Sequence, residues 1–411
     1  MSRVIEARFE VVTPLFCAGA DPKRAELRLP SFKGVLRFWW RALAWSRLNG
    51  DLNEIQSQES EIFGSADGGQ SRVRMRLVVN RAPVTVTSGQ VLTKTPRGDD
   101  VVGQGARYLG YGVMEAFARC KKKTQAGQLT QKKTQAGQLT RSCLRAPIDF
   151  TVSLQCRDLD NAALDSVRDA LKALGLLGGM GAKSRKGYGS LVLKSLKEEG
   201  KETWSAPESL DGLQKAIQGL LKGAREDLPD YTALSADTRC VLLTADARDP
   251  LVMLDLIGRE MVRYRSWGQN GKILGGGISS EKNFKDDHDL MKMDAPHRHA
   301  HPRRIAFGLP HNYYGKRNDQ QVRPHDARLD RRASPLFIHV HQWGDTPVAV
   351  LAFLPARFLP KDRSAISVGG TTIALTGETQ LYEPIVEFLD RLLNPEQREE
   401  DFTGAIEVMK P

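Results

Sequence analysis

Between residues 178 and 189 the chain reads Gly-Gly-Met-Gly-Ala-Lys-Ser-Arg-Lys-Gly-Tyr-Gly. Glycine tolerates positive φ and lets an anion approach bare N–H groups, so Gly178, Gly179, Gly181 and Gly187 suit a turn that cradles phosphate. Lys183, Arg185 and Lys186, with Ser184 among them, put three cations on the same turn, and no Asp or Glu occurs from Ala170 to Lys197. Tyr188 can stack on a base or pack beneath the turn. The bland alternative is a helix-to-strand connection with ordinary surface lysines; five glycines among three cations favour contact with a phosphate backbone. The segment is not a Walker A loop, nor does it follow a first strand and open a helix, as a dinucleotide fingerprint must. No cofactor is therefore expected.

A second basic feature lies near the start. From Phe32 to about Leu48 the pattern predicts a helix capped by Ser31, with Phe32, Leu36, Trp39 and Leu43 on its apolar face. Lys33, Arg37 and Arg41 recur every four residues with Trp40 beside them. Such a ridge can track a phosphate backbone while tryptophan stacks a base. A solvated ridge, with Trp40 turned into the core, is the competing reading.

Other polar groups point less sharply. Asp21, in Gly-Ala-Asp-Pro-Lys, reads as a turn residue because Asp-Pro favours turns. His297, His299 and His301, with His288 and Asp294 nearby, have no second ligand pair at defined spacing, so a solvated or RNA-facing segment is expected and no metal. His339 and His341 share one face of a strand, half-buried or lining a groove, without an obvious carboxylate or nucleophile partner. Among Arg303, Arg304, Arg331 and Arg332, Arg304 and Arg332 could extend an RNA path, or the set could pair with Asp326 and Asp330. Five scattered cysteines without ligand spacing indicate neither a disulfide framework nor a zinc site. With 60 Lys+Arg against 49 Asp+Glu, the net charge of +11 favours a polyanionic partner. No run is long enough to span a membrane, and the strand-like N-terminus has no leader pattern, so a cytoplasmic protein is expected.

The elements that must hold these groups can be read from periodicity. Strands are predicted at 3–13, 72–79, 147–155 and 190–196, with helices at 32–48 and 160–174, which is the β-α-β-β-α-β pattern of a ferredoxin-like unit. The second half repeats that grammar, with strands at 240–245, 304–308, 335–342, 347–354 and 404–409 and helices at 251–265 and 378–393. The predicted class is α+β, two tandem ferredoxin-like (RRM-like) domains with insertions. An N-terminal domain over 1–200 carries a basic insertion at 101–146, a connector with a helix at 208–223 spans 201–235, and a second domain over 236–411 carries an insertion at 268–333. Residues 121–130 and 131–140 are a tandem repeat differing only at the first position. That stretch is expected to be a largely disordered, mobile basic arm.

Taken together, LRLPSFKGVLRFWWRAL, EIFGS at 61–65 and GGMGAKSRKGYGS resemble the RAMP superfamily of CRISPR-associated proteins. The tryptophan pair, the EIFGS segment and RRASPLFIHV at 331–340 look most like the subunit-one family of the type III-B Cmr effector complex. The resemblance implies a non-catalytic, RNA-binding subunit that caps the complex near the crRNA 3′ region and helps engage target RNA. Its implied partners are crRNA, target RNA and other Cmr subunits. Related backbone subunits use an aspartate in a comparable loop to cut target RNA, so the rival reading is an endoribonuclease resting on Asp21. A crRNA-processing enzyme is less well served, since no His occurs before His288. A scaffold that binds only protein is the third reading.

Overall fold

The computed structural model describes residues 2–93, 101–125, 128–268, 273, 278–293, 300–313, 320–377 and 380–409; over 119–133 it describes only the backbone. The first half is built from β1 (Ser2–Val11), α1 (Leu29–Arg47), α2 (Leu52–Phe63), β2 (Val73–Val79), β3 (Ile148–Arg157), α3 (Asn161–Leu177), β4 (Leu191–Glu198) and β5 (Lys201–Ser205). These strands form one antiparallel sheet in the order β2-β3-β1-β4-β5. The second half contains α4 (Leu210–Leu221), β6 (Arg239–Thr244), α5 (Pro250–Tyr264), β7 (Leu336–Trp343), β8 (Thr346–Phe353), α6 (Glu383–Leu393) and β9 (Gly404–Glu407). Its sheet, also antiparallel, runs β7-β8-β6-β9. Counted within each half, the first four strands take the same order, second-third-first-fourth.

Period-two alternation explains the first sheet. Ile5, Ala7, Phe9 and Val11 of β1 are buried, as are Ile148, Phe150, Val152 and Leu154 of β3, while the residues between them face outward. Phe9 and Phe150 stack with centroids 5.7 Å apart, and Phe32 of α1 meets Phe9 edge-on at 5.3 Å. Helix α1 starts earlier than predicted. Arg28 occupies the cap position and Pro30 sits in the first turn, where its fixed φ suits helix entry, so Ser31 lies inside the helix. Helices α3 and α5 begin where their side-chain caps place them: Asp160 accepts from Ala163 N, and Asp249 from Leu251 N.

The halves do not keep separate interiors. One buried cluster joins residues of β1, α1 and α3 to Phe337, Val348, Val350 and Ala352 of the second sheet. Another joins Val12, Phe16, Tyr188 and Val192 to Ile257, Met261 and Leu336. Within the second half, fully buried Glu260 of α5 accepts from Arg263 Nη1 at 3.0 Å and Arg391 Nε at 2.8 Å. It also takes the amides of Glu399 and Glu400 at 2.6 and 2.7 Å, which ties the C-terminal segment to the helix layer.

Several segments depart from the sequence reading. Residues Arg303–Phe307 form a 3-10 turn, not a strand, and the second-half insertion contributes to a small four-stranded sheet with strands at His311–Tyr313, Gln320–Pro324, Ala365–Val368 and Thr371–Ala374. Helix α2 was not anticipated because LNEIQSQESEIF is mostly polar. The repeat, expected to be disordered, forms an antiparallel hairpin of Arg119–Gln125 with Gln128–Thr134. The base of that insertion is docked as well. A short helix, Gln104–Leu109, crosses α5 so closely that a Cβ on Gly105 would stand 2.0 Å from Asp255 O, and Asp255 Oδ1 accepts Gly105 N at 2.6 Å. Most of Gly268–Gly277 lies outside the described residues.

Replacing Glu260 with Ala strands two amides and removes the buried carboxylate shared by Arg263 and Arg391, leaving them only Glu400 and Glu281 among the described residues. The expected cost is about 3–5 kcal/mol, read as a lowered urea midpoint with an unchanged m-value. A loss near zero would mean the carboxylate does not organise the helix layer.

Candidate nucleic-acid interface

The glycine turn leaves α3 at Gly178 and enters β4 after Ser190, with positive φ at Gly181, Lys183, Gly187 and Gly189. At Gly189 the requirement is steric as well, since a Cβ would stand 2.1 Å from Met180 O. The turn is clamped to the end of β1. Ala182 N donates to Phe16 O at 2.8 Å, Gly189 N to Pro14 O at 3.0 Å, and Thr13 Oγ1 to Gly187 O at 2.7 Å. Its other flank receives β7. Ile338 N donates to Arg185 O at 3.1 Å, Val340 N to Ser190 Oγ at 3.1 Å, and His339 Nδ1 to Gly178 O at 2.7 Å. Gly178 lies against Trp39 and Leu174, Gly179 against Gly189, and Gly181 against Phe16 O, all within the first half, while Gly187 makes room for Leu254 and Ile338 of the second.

The cations of the turn part company. Arg185 lies over Phe337 at 4.4 Å and Phe38 at 5.3 Å and donates to Ser334 O at 2.6 Å, so it fastens α1 to the second half. Burial, with Arg332 nearby, pushes it down to about 10. Lys186 points inward, where Met261 Sδ at 3.9 Å is its only acceptor among the described residues. Burial first, then Arg265, Lys183 and Arg185, push its ammonium down to about 7. Lys183 is half-buried beside Gly112 and lowered by burial and by Arg141, which places it under the docked insertion. Ser184 stays half-buried at the tip of the turn. Tyr188 is fully buried, with its hydroxyl donating to Ala106 O at 2.7 Å, so the base-stacking role is withdrawn.

The first-helix ridge is also altered. Glu59 of α2, nearly buried, accepts from Arg37 Nε at 2.7 Å and Arg41 Nη1 at 2.5 Å, so one carboxylate serves both arginines. Trp40 is fully buried and donates from Nε1 to Ser166 Oγ at 2.8 Å, so it cannot stack a base. Lys33 has no partner of opposite charge among the described residues; its ammonium is lowered by burial and by Arg37. Lys33, Gly34 and Arg37 line a hollow of about 420 Å³ with Phe63, Gly64 and Ser71. The helix motif and the EIFGS segment thus meet on one surface, apart from the flank where the turn meets β7.

The remaining candidates divide similarly. Arg304 is buried over Phe284 at 5.3 Å and Tyr313 at 5.6 Å. Arg332 donates to Thr232 Oγ1 at 3.2 Å and Tyr382 Oη at 3.4 Å, which makes it a packing residue rather than a surface RNA contact. Asp326 pairs with Arg328 and Arg363 instead. Asp21 Oδ1 accepts Lys23 N at 2.9 Å, as a turn aspartate does. His339 and His341 are fully buried, not half-buried; His297 and His299 lie outside the described residues. No group of three or more His, Cys, Asp or Glu side chains able to hold a metal occurs among the described residues. No helix among them is long and apolar enough to cross a membrane.

Residues 8–192 match the RAMP superfamily. The CRISPR system Cmr subunit Cmr1-2 of Pyrococcus furiosus is 28% identical over 193 residues, 46% of this chain and 94% of that protein. Cmr1-1 of the same organism is 24% identical over 355 residues, 82% of this chain and 83% of the relative. The apo crystal structure of Cmr1 from Pyrococcus furiosus superposes with a TM-score of 0.50 at 18% identity, covering 99% of both chains, a likeness of fold. The resemblance drawn from the helix, EIFGS and glycine motifs holds, and the mixed α/β architecture with antiparallel sheets agrees with it.

Burial pushes His339 down to about 3 and His341 to about 4, from 6.5. Both rings are neutral in the folded chain, so the unfolded chain binds more protons below pH 6.5 and stability falls as the pH drops toward the folded values. Each ring contributes up to about 1.4 kcal/mol per pH unit over that window. Urea midpoints at pH 7 and pH 5 should separate widely for the native chain and less for His339→Gln; equal separations would remove the ring from the account.

Proposed function

We propose that this chain, whose residues 8–192 carry the RAMP module, is an RNA-binding, non-catalytic subunit of a type III-B CRISPR effector. The reading gives it two tandem ferredoxin-like domains, 1–200 and 236–411, joined by 201–235, which the shared strand order of the two sheets supports. Its partners are crRNA, target RNA and other Cmr subunits, in line with the subunit names borne by the relatives. Its place is near the crRNA 3′ region, in the cytoplasm.

The observation that carries the reading is uncompensated positive charge on both basic surfaces. Lys33 at the α1–α2 hollow and Lys183 at the turn have no carboxylate partner among the described residues, whereas Arg37 and Arg41 do. An exposed or half-exposed cation without a counter-ion releases condensed counterions when it meets phosphate. Affinity of this kind tolerates any sequence, and base pairing with the guide supplies specificity. Arg185, Trp40 and Tyr188 act by holding the shape of these surfaces.

Lys33→Ala with Lys183→Ala should weaken binding of all RNA sequences alike and flatten the plot of log affinity against log salt by about one unit per lost contact. Unchanged affinity and slope in filter binding would leave only the protein scaffold. The nuclease alternative has Asp21 beside Lys23 and Arg24 in a shallow hollow as its support. Asp21→Ala in the assembled complex is expected to leave every target cut in place; loss of one specific cut would make Asp21 catalytic.

A further inference from the structure

Behind the glycine turn stand three basic side chains that no carboxylate pairs with directly among the described residues. Lys186 reaches inward from the turn, Arg265 follows α5, and Arg304 comes from the 3-10 turn of the insertion. Arg265 lies over Phe307 at 4.7 Å, and Arg304 over Phe284 and Tyr313, so aromatic faces fix both guanidiniums. Arg265 Nε and Arg304 Nε and Nη2 are buried and have no hydrogen-bond acceptor among the described residues, nor do His311 Nε2 and His288 Nε2 have a partner there. Met261, which Lys186 meets, stands one helical turn before Arg265, and Phe307, which Arg265 covers, shares the 3-10 turn of Arg304. Arg265 and Arg304 oppose protonation of His311, which burial already pushes down to about 3, and Arg265 opposes that of Lys186. The neighbouring acid is Asp287, and its oxygens already accept the amides of Arg303 and Arg304 and the hydroxyl of Tyr313, at 2.8, 2.9 and 3.2 Å.

Three basic side chains beside one occupied carboxylate, among the described residues, is a costly arrangement to desolvate. It becomes favourable when a multiply charged oxyanion brings acceptor oxygens to the guanidiniums. We propose that Lys186, Arg265 and Arg304 form a buried binding site for one phosphate group, closed by the glycine turn on one side and the second-half insertion on the other. The site goes beyond the RNA-tracking surfaces of Lys33 and Lys183, since a free phosphate satisfies it as well as one carried by an oligonucleotide. Arg265 had drawn no notice in the sequence because it stands alone at a helix end. His288 and His311 remain neutral and leave the charge to the other three.

Thermal unfolding of the full chain, followed by tryptophan fluorescence, tests the site. Inorganic phosphate is compared with chloride at matched ionic strength, and short oligouridylates with a 5′-phosphate, a 3′-phosphate or neither are compared with one another. A saturable rise in Tm is expected with a phosphate-bearing probe, because a ligand held by the native state stabilises it by mass action. A rise with inorganic phosphate identifies free phosphate as a sufficient source; a rise only with end-phosphorylated RNA identifies the terminus. Lys186→Met should raise Tm in chloride, by removing an unpaired buried charge, and abolish the phosphate increment; Arg265→Gln should weaken phosphate at least tenfold. No increment with any probe, or one that survives both substitutions, overturns the proposal. Should Arg265→Gln fail to fold, Lys186→Met decides it. Binding of RNA without terminal phosphate, measured on the Lys33 and Lys183 variant, reports separately on the proposed function.

Discussion

Strand β7 stands at the edge of its sheet, with β8 on one side and a row of backbone groups on the other that the sheet itself cannot satisfy. The glycine turn of the first half covers that row: Arg185 O, Ser190 Oγ and Gly178 O take the amides of Ile338 and Val340 and the ring of His339. An edge strand left bare would invite pairing with another chain. Covering it takes one backbone bond and two through side chains, with Gly187 leaving room for Ile338 and Leu254 beside them. Much else follows from this contact. Arg185 can be stacked between Phe38 and Phe337 only because the turn has brought α1 to the second sheet, and Tyr188 is buried because the same turn faces the docked insertion.

The two halves therefore behave as parts of one interior. Their cores exchange residues in both directions, and the basic insertion is held by the close crossing of Gly105 on α5. A basic side chain on the turn can end in any of three places: in the joint, in the enclosed cation cluster, or at the surface. Arg185, Lys186 and Lys183 take one each. Charge alone therefore does not distinguish a residue that binds from one that builds.

Much of the framework was legible before any coordinates. The alternation in β1 and β3, the apolar stripe of α3 and the side-chain caps Asp160 and Asp249 each state their element locally, and local statements survive tertiary packing. What failed depended on partners remote in sequence. Glu59 sits in a polar stretch with no helical signature of its own, yet it neutralises Arg37 and Arg41 across a helix pair. Trp40 and Tyr188 look amphipathic in sequence, and only the positions of Ser166 and Ala106 reveal that their polar ends are satisfied inside. Arg304 stands among charged neighbours in sequence, whereas in the fold the rings of Phe284 and Tyr313 lie against it. The first copy of the repeat folds back largely on itself, with Lys123–Gln125 opposite Gln128–Thr130, a pairing that a polar, lysine-rich sequence does not advertise.

Strand β1 is central in its sheet, yet both its neighbours lie far along the chain, at residues 148–157 and 191–198. During synthesis β1, alternately apolar, has no partner strand until residues 148–157 have emerged, and lacks its second neighbour until 191–198 follow. Domains generally fold as units as they emerge, and unpaired strands are exposed to misassociation meanwhile. Every residue inserted between α2 and β3, the tandem repeat included, lengthens that wait. The glycine turn lies immediately before β4, so the joint that secures the second half is made available in the same stretch of translation that closes the first sheet.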